Sequence, residues 1–276
     1  MFNGYLLKLF SRIMPFTVAF LDIGSALKRL NLVFVLAWRD IVQRYRRSTL
    51  GPFWITLSMG VMIGTLGLVF GKIFKTPLQE FLPFVSLGII FWTFISTTIT
   101  EGANSFISAE NIIKQLPLPL FTHVLRILWR NVLILGHNLV IFPLVLLMFF
   151  KSVSIVALLS VLGFLLLFLN LGWLTLFLAI FCTRYRDLSS VIGNLIQVMF
   201  YITPIMWMPH FVSGHAGFYL LSLNPAYHLL QIVRAPLLGE APSLANWMVS
   251  MGIALVGWMI TLVLYNHYRN RIAYWL

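Results

Sequence analysis

Six stretches of this chain run for roughly twenty residues or more without a charged side chain, and that pattern constrains the fold more than any other feature. They are 53–71, 81–100, 131–150, 152–183, 188–208 and a stretch within 241–268. A helix needs about 20 apolar residues to cross about 30 Å of hydrocarbon, so each is a candidate span. Strands of a membrane barrel would alternate polar and apolar residues over about ten positions. These segments are apolar on every face and too long for that, so helices remain, with all backbone groups paired internally. The expected class is an all-α integral membrane protein with six transmembrane helices, an N-terminal amphipathic interfacial helix and an outer re-entrant helical hairpin.

The composition agrees: 60% of the 276 residues are hydrophobic and 9% are charged, against about 25% charged in a soluble domain. The formal charge of +12 would fit nucleic acid or an anionic membrane face, and the placement of the basic residues selects the second. Sorted by alternate sides of the six spans, fifteen of the nineteen Lys and Arg fall on the side of both termini. Only Lys72, Lys75, Lys151 and Arg234 fall on the other. The positive-inside rule then places both termini in the cytoplasm, and lipid headgroups account for the charge without nucleic acid. Lys8, Arg12 and Asp22 interrupt the N-terminus, so it reads as retained and not as a secretion signal. The single cysteine, Cys182, excludes an intrachain disulfide and any cysteine metal cluster.

Residues 34–48 place Phe34, Ala37, Trp38, Ile41, Val42 and Tyr45 on one helical face and Arg39, Asp40, Gln43, Arg44, Arg46 and Arg47 on the other. Such a helix lies in the membrane interface with its arginines toward water and phosphate, and it stops at Gly51-Pro52. It is either a passive anchor or a hinged element that moves with the first span. Between the second and third spans, Ser108-Ala109-Glu110-Asn111 resembles a helix start, and Pro117 and Pro119 end that helix by Leu116. A rigid plug for a partner's groove and a simple loop stiffener are both open. Arg184 to Asp187 joins the fourth and fifth spans. The segment 209–240 holds two apolar runs broken at Asn224-Pro225, each too short to span, which favours a re-entrant or interfacial hairpin.

Chemistry of the chain's own is hard to find. Gly71-Lys72 is followed by Ile73 and position 66 is Leu, so a P-loop is absent. The seven carboxylates are never closer than nine residues apart, and no H-E-x-x-H occurs, so no metal site is expected. The six spans carry no charge near their centres. His137 and Asn138 are a polar contact between helices or a substrate or proton site. Gly60, Gly64, Gly67 and Gly71 give the first span a surface for close packing. Phe91, Trp92, Phe94, Trp173, Phe200, Tyr201 and Trp207 face lipid or line a path along which sugar rings slide.

Three strings, RDIVQRYRRSTLGPFW (39–54), RYRDLSSVIGNLIQVMFYITPIMW (184–207) and LNPAYHLLQIVR (223–234), resemble the permease subunits of polysaccharide-export ABC transporters. They come in the family's order and on matching sides of the membrane, and the likeness runs from about residue 30 to the end. It is greatest to O-antigen permeases of the Wzm type, with capsule and teichoic-acid exporters as near relatives. The resemblance implies a homodimer bound to two copies of a separate cytoplasmic ABC ATPase, which alone binds ATP and Mg, so no cofactor belongs to this chain. It also implies export of a lipid-linked polysaccharide, an undecaprenyl-pyrophosphate-linked glycan, across the bacterial inner membrane.

By the same likeness the chain divides into an N-terminal extension (1–33), a gate helix (34–50), a six-helix domain (51–268) and a short C-terminus (269–276). The spans are expected at about 53–71, 81–101, 122–150, 153–182, 188–208 and 243–267, with a coupling helix at 108–116 and a re-entrant segment at 209–238. ATPase coupling maps to Glu110, Asn111, Ile112, Ile113, Lys114 and Gln115, continuing to Leu116, and to Arg184, Tyr185, Arg186 and Asp187. Arg39, Arg44, Tyr45, Arg46 and Arg47 lie where a pyrophosphate headgroup would meet the protein, a task the guanidinium fork suits. Phe91, Trp92, Trp173, Phe200, Tyr201 and Trp207 are the expected channel lining. The sequence departs from relatives at Met59-Gly60, where many have a proline, and its first thirty residues exceed the family pattern. A competing class, a membrane enzyme acting on a lipid-linked sugar, would use His123, His137 or His228 with a distant carboxylate.

Overall fold

The computed structural model describes residues 17–276 apart from 47, 50, 52, 212–218 and 220, and among these every regular element is helical. In chain order α1 is Thr17–Leu27, α2 Leu30–Tyr45, α3 Phe53–Ile73, α4 Leu78–Ala103, α5 Ser105–Ser108 and α6 Glu110–Gln115. Then come α7 Phe121–Leu139, α8 Ile141–Met148, α9 Leu159–Arg184, α10 Leu188–Ile202, α11 Pro225–Leu237 and α12 Leu244–Trp275. Single 3-10 turns cover Ile155–Leu158 and Pro209–Phe211.

Among the described residues, five helices are long and apolar enough to cross a membrane: α3, α4, the run Phe121–Met148, the run Ile155–Arg184 and α12. The chain is therefore a multi-pass membrane protein. Helices α7 and α8 count as one span because Val140 between them keeps helical angles (φ -58, ψ -26). The lapse there follows from Pro143, which has no N–H to return to Leu139. The stretch expected as the fifth of six spans is helical only over Leu188–Ile202, 15 residues, or about 22 Å. Pro204 explains the stop. It forces Thr203 into extended geometry, with φ -82 and ψ 135.

The bundle is organised around α4, where 78% of the spanning window is buried against 17% for α3. Helices α3, α7, α9 and α11 pack around α4, and α9 in turn packs on α12 and α11. Two glycines allow backbones to touch. A Cβ on Gly163 of α9 would sit 2.0 Å from the Ile232 carbonyl oxygen of α11, and one on Gly88 of α4 would sit 2.8 Å from the Ile205 carbonyl. Backbone cannot swing aside as a side chain can, so a methyl at Gly163 must push the helices apart. Gly163→Ala is expected to lower the apparent unfolding temperature in detergent, by the equivalent of about 1–3 kcal/mol. Gly136→Ala is the control, since nothing lies within 4 Å of its new methyl.

The glycine stripe of α3 divides in two. Gly67 and Gly71 face α4, where Leu82, Leu78 and Phe81 approach, while Gly60 and Gly64 have nothing within 4 Å. The N-terminal extension, for which the sequence offered no role, places α1 against α7 and α12. Asp22 of α1 is 3% exposed. Its Oδ2 accepts from the Phe121 backbone N–H at 3.1 Å and from the Tyr265 hydroxyl at 2.5 Å. Its Oδ1 lies 2.9 Å from Nη2 of Arg269. Phe121 opens α7, so a carboxylate from a different helix satisfies one of the amides that every helix start leaves unpaired.

Candidate functional site

The amphipathic helix α2 begins at Leu30, earlier than the periodic pattern, and it has two apolar stripes. Val33, Ala37 and Ile41 are buried, and the ring of Phe34 meets Trp129 edge-on at 4.4 Å. Val35, Trp38 and Val42 are exposed, a stripe suited to the membrane interface. The sequence assigned Asp40 to the water-facing side, and the structure corrects this. Asp40 points at α7 and accepts from Arg126 Nε at 2.7 Å, from Arg126 Nη2 and from Arg130 Nη1 at 3.1 Å. Periodicity recorded a polar position, but only the packed partner shows that its environment is a pair of arginines.

This cluster continues into α4. Glu101 takes Nη2 of Arg130 at 2.6 Å, Nδ2 of Asn131 at 3.0 Å and Nη2 of Arg44 at 3.1 Å. Three guanidiniums therefore share two carboxylates across α2, α4 and α7. A cavity of about 340 Å³ lies beside the cluster, lined by Glu101, Arg130, Asn104 and Ser108 among others. Arg44 is half-exposed and tied to Glu101, while Arg39 and Arg46 are exposed. Arg47 and the side chain of Tyr45 lie outside the described residues. Asp40, Glu101, Arg126 and Arg130 were missed as site residues. Their signal in the sequence was four charges on three separate helices, with no indication that they converge.

The proline-stopped helix is α6, and Leu116 beyond it is extended (φ -122, ψ 131). Ser108 does not cap it, contrary to the sequence reading. Ala109 holds that position without a side-chain bond, and the Ser108 hydroxyl donates to the Ser105 carbonyl at 3.1 Å because a turn of helix, α5, precedes it. No residue of α6 is buried. Lys114 Nζ lies 2.6 Å from Glu110 Oε1, one turn apart. The hydrogen bond and charge of Lys114, with a smaller contribution from Arg186, hold the Glu110 carboxyl below its ordinary value. Residues Arg184, Tyr185, Arg186 and Asp187 are all exposed, with the Arg184 guanidinium 5.2 Å from the Tyr185 ring centroid and 5.4 Å from that of Trp275.

The aromatic residues expected to line one path are not on one surface. Phe91 and Trp92 are 3% and 6% exposed in the core of α4. Trp173 is wedged between α9 and Gly257 of α12, its Nε1 donating to Asn170 Oδ1 at 3.2 Å. Phe200 is half-buried, 6.0 Å from Trp92, and Trp207 donates to the Tyr201 carbonyl at 3.2 Å. Tyr201 alone is open, at 62%. Most large rings here fill the gaps between helices, which position along a span does not distinguish from lining.

A different surface emerges on α10, where no residue is buried. Ser190, Asn194, Gln197 and Tyr201 recur at i, i+4, i+7 and i+11, and all four side chains are exposed. The Asn194 and Gln197 amides have no hydrogen-bond partner among the described residues. An unpaired amide facing hydrocarbon costs roughly 2–7 kcal/mol, depending on the reference state, so this stripe belongs against a polar or hydrated surface. The spacing was legible in the sequence, hidden by the high overall hydropathy of the segment.

The far end of α10 is held by Arg234 of α11, which is fully buried. Its Nη1 donates to the Pro204 carbonyl at 2.6 Å and its guanidinium lies 4.1 Å from the Phe84 ring centroid. Asn224 caps α11 through the Ala226 and Tyr227 amides and donates to Thr203 Oγ1 at 3.0 Å. The second half of the expected re-entrant hairpin is thus a short helix, and much of the first half lies outside the described residues. The histidines are scattered. His123 is buried, His137 contacts the Leu133 carbonyl, and His228 sits between Asn246 and the Ser222 carbonyl. None of these three bonds a carboxylate, so the catalytic pairing that the enzyme reading needs is not formed. No group of His, Cys, Asp and Glu among the described residues could hold a metal ion.

Comparison with known proteins follows the same lines. The chain is 26% identical over 216 residues to the O-antigen export system permease protein RfbA of Myxococcus xanthus, covering 74% of this chain and 79% of that protein. It is 24% identical over 200 residues to an O-antigen export system permease protein RfbA of Klebsiella pneumoniae, covering 71% and 75%. A second Klebsiella pneumoniae protein of that name is 21% identical over 258 residues, covering 88% of this chain and 94% of the relative. Residues 31–238, from the start of α2 to the end of α11, match the family described as ABC-2 type transporter. With that match spanning most of its length, the chain belongs to the ABC-2 type transporter family.

Proposed function

We propose that this chain is the transmembrane subunit of an ATP-driven exporter that moves a lipid-linked polysaccharide across the bacterial inner membrane. It works as a homodimer with two copies of a separate cytoplasmic ATPase, and both of its own termini are cytoplasmic. The relatives named as O-antigen export permeases support the substrate class. The observation that carries the reading is the polar stripe of α10. An apolar helix with no buried residue and with Ser190, Asn194, Gln197 and Tyr201 turned outward needs a second copy and a hydrated path beside it. The amides would offer the glycan weak, exchangeable hydrogen bonds, as a sliding chain requires. Capsular polysaccharide or teichoic acid would be moved in the same way.

The arrangement also supplies the transmission. Helix α6 has no buried residue and the Arg184–Asp187 turn is exposed, so both are open to a groove of the ATPase. The motion would pass through α5 to the cluster of Asp40, Glu101, Arg126 and Arg130, and so to α2 and α3. In this reading the exposed Arg39 and Arg46 offer guanidiniums to a pyrophosphate headgroup, with Arg44 shared between that role and Glu101.

The test is the assembled complex. Glu110→Ala with Lys114→Ala should leave insertion and ATP hydrolysis in place while export of the lipid-linked glycan falls about tenfold or more, and unchanged export would remove the coupling role. Because its partner depresses the folded-state pKa of Glu110, the pairing is complete above the ordinary value of 4.5 and is lost only as pH falls below it. Coupling in the wild type should therefore be flat between about pH 6 and 8 with respect to this pair, measured as glycan exported per ATP hydrolysed.

A further inference from the structure

At the end of the bundle opposite the Asp40 cluster, four connections meet around a cavity of about 490 Å³, inside the usual range of about 300–1,000 Å³ for small-molecule sites. Glu80 comes from the first turn of α4, Lys151 from the turn after α8, Met208 from the break after α10, and Gln231 and Glu240 from α11 and beyond it. Phe84 and neighbouring prolines form an apolar wall. We propose that this cavity is a carbohydrate-binding subsite for neutral sugar residues, engaging the glycan on the outer side of the membrane.

The charged side chains stand exposed at the rim of the cavity, where a ligand can reach them. Among the described residues, Glu80, Lys151 and Glu240 make no hydrogen bond or ion pair through their side chains, although all three border one cavity. Glu80 has a helix-dipole role available, since it stands in the first turn of α4. Glu240 has none: it follows the C-terminus of α11, where a carboxylate opposes the dipole. With the buried Arg234 counted behind Phe84, the charges around the cavity balance, so no net field draws in an ion of either sign. What remains is carboxylate acceptors and an ammonium donor around a flat apolar wall, the Gln231 amide being held already by Arg234 and the Tyr227 hydroxyl. Sugar rings match that combination, with C–H faces for the wall and hydroxyls for the polar rim.

The wall is also preorganised. Arg234 lies against Phe84, and it holds the Pro204 carbonyl in the break that leads to Met208. A sugar in the cavity would thus touch the element that ends α10, linking the leading part of the glycan to the helix carrying the polar stripe. This assignment rests on the export reading for the side of the membrane the cavity faces, whereas its chemistry comes from the cavity alone.

Saturation-transfer NMR on the full chain in lipid nanodiscs, free of glycoside detergent, tests it. Methyl glucoside, methyl mannoside and N-acetylglucosamine are the neutral probes, with glucuronate and inorganic phosphate as anions. Neutral glycosides should receive saturation, and affinity should fall about tenfold in the Glu80→Gln, Glu240→Gln double variant. Ser152→Trp, which fills the cavity from its rim, should abolish the signal. No transfer to any neutral glycoside, transfer that neither variant reduces, or stronger binding of glucuronate or phosphate would each overturn the proposal. Native mass spectrometry of the same preparation separates the two readings. A complex with two ATPase copies but no glycoside binding removes the subsite alone, and glycoside binding without any ATPase partner removes the exporter reading alone.

Discussion

Asp22→Ala should be among the most damaging single substitutions in this chain, lowering stability by about 3–5 kcal/mol, because it removes a buried carboxylate from two hydrogen-bond donors and an ion-pair partner at once. The Phe121 amide, the Tyr265 hydroxyl and Arg269 all converge on it. Asp22→Asn keeps the oxygen but not the charge and should fall between alanine and wild type. Tyr265→Phe removes one bond and should cost only about 1 kcal/mol. The check is the apparent unfolding temperature in one detergent across the three variants, together with protease sensitivity of α1. Equal stability of Asp22→Ala and wild type would mean that α1 is not fastened to the bundle. The first helix would then be an appendage, whereas the geometry makes it a clasp between the start of α7 and the end of α12.

The second large effect is expected at Asp40. Its removal leaves Arg126 without a carboxylate and Arg130 with Glu101 alone. The side chains of Asp40, Arg130 and Arg126 are 10%, 14% and 23% exposed. Partial screening therefore reduces the loss below that of a fully buried pair, to about 2–4 kcal/mol. A double-mutant cycle between Asp40→Ala and Arg126→Ala should show strong coupling, while additive losses would dismiss the pairing. Exchange of the charges, Asp40→Arg with Arg126→Asp, should recover part of the stability. Under the proposed export function, the readout that a merely structural contact would not move is export: detaching α2 from α7 should sever ATP hydrolysis from glycan movement even in variants that remain assembled.

Particular residues show how far the sequence could be read. The charge-free runs located five helices of spanning length, because the absence of charge over about twenty residues is a local property that hydrocarbon enforces directly. The amphipathic pattern found α2, and Pro117 marked the end of α6. The reading failed where a neighbour decides. Asp40 looked like a water-facing carboxylate until Arg126 and Arg130 from α7 met it. Phe91 and Trp92 looked like path-lining rings until α4 proved to be the centre of the bundle. Ser108 looked like a cap until a preceding turn of helix took its hydroxyl. Glu101 and Arg44 are 57 residues apart, and nothing local announces that they pair.

By itself, then, the amino-acid order determined that this chain lives in a membrane as a helical bundle and carries no P-loop motif, and its charges set the expectation that the basic side holds both termini. These depend on hydropathy, charge and short motifs, each complete within a few turns of helix. Only the tertiary structure decided which polar groups are satisfied. It gave Asp22 and Asp40 their partners, left Asn194 and Gln197 without any among the described residues, and gathered Glu80, Lys151 and Glu240 around one cavity. The physical reason is that desolvation and pairing are properties of a three-dimensional surrounding, and in a helical bundle that surrounding is built from residues tens to hundreds of positions away.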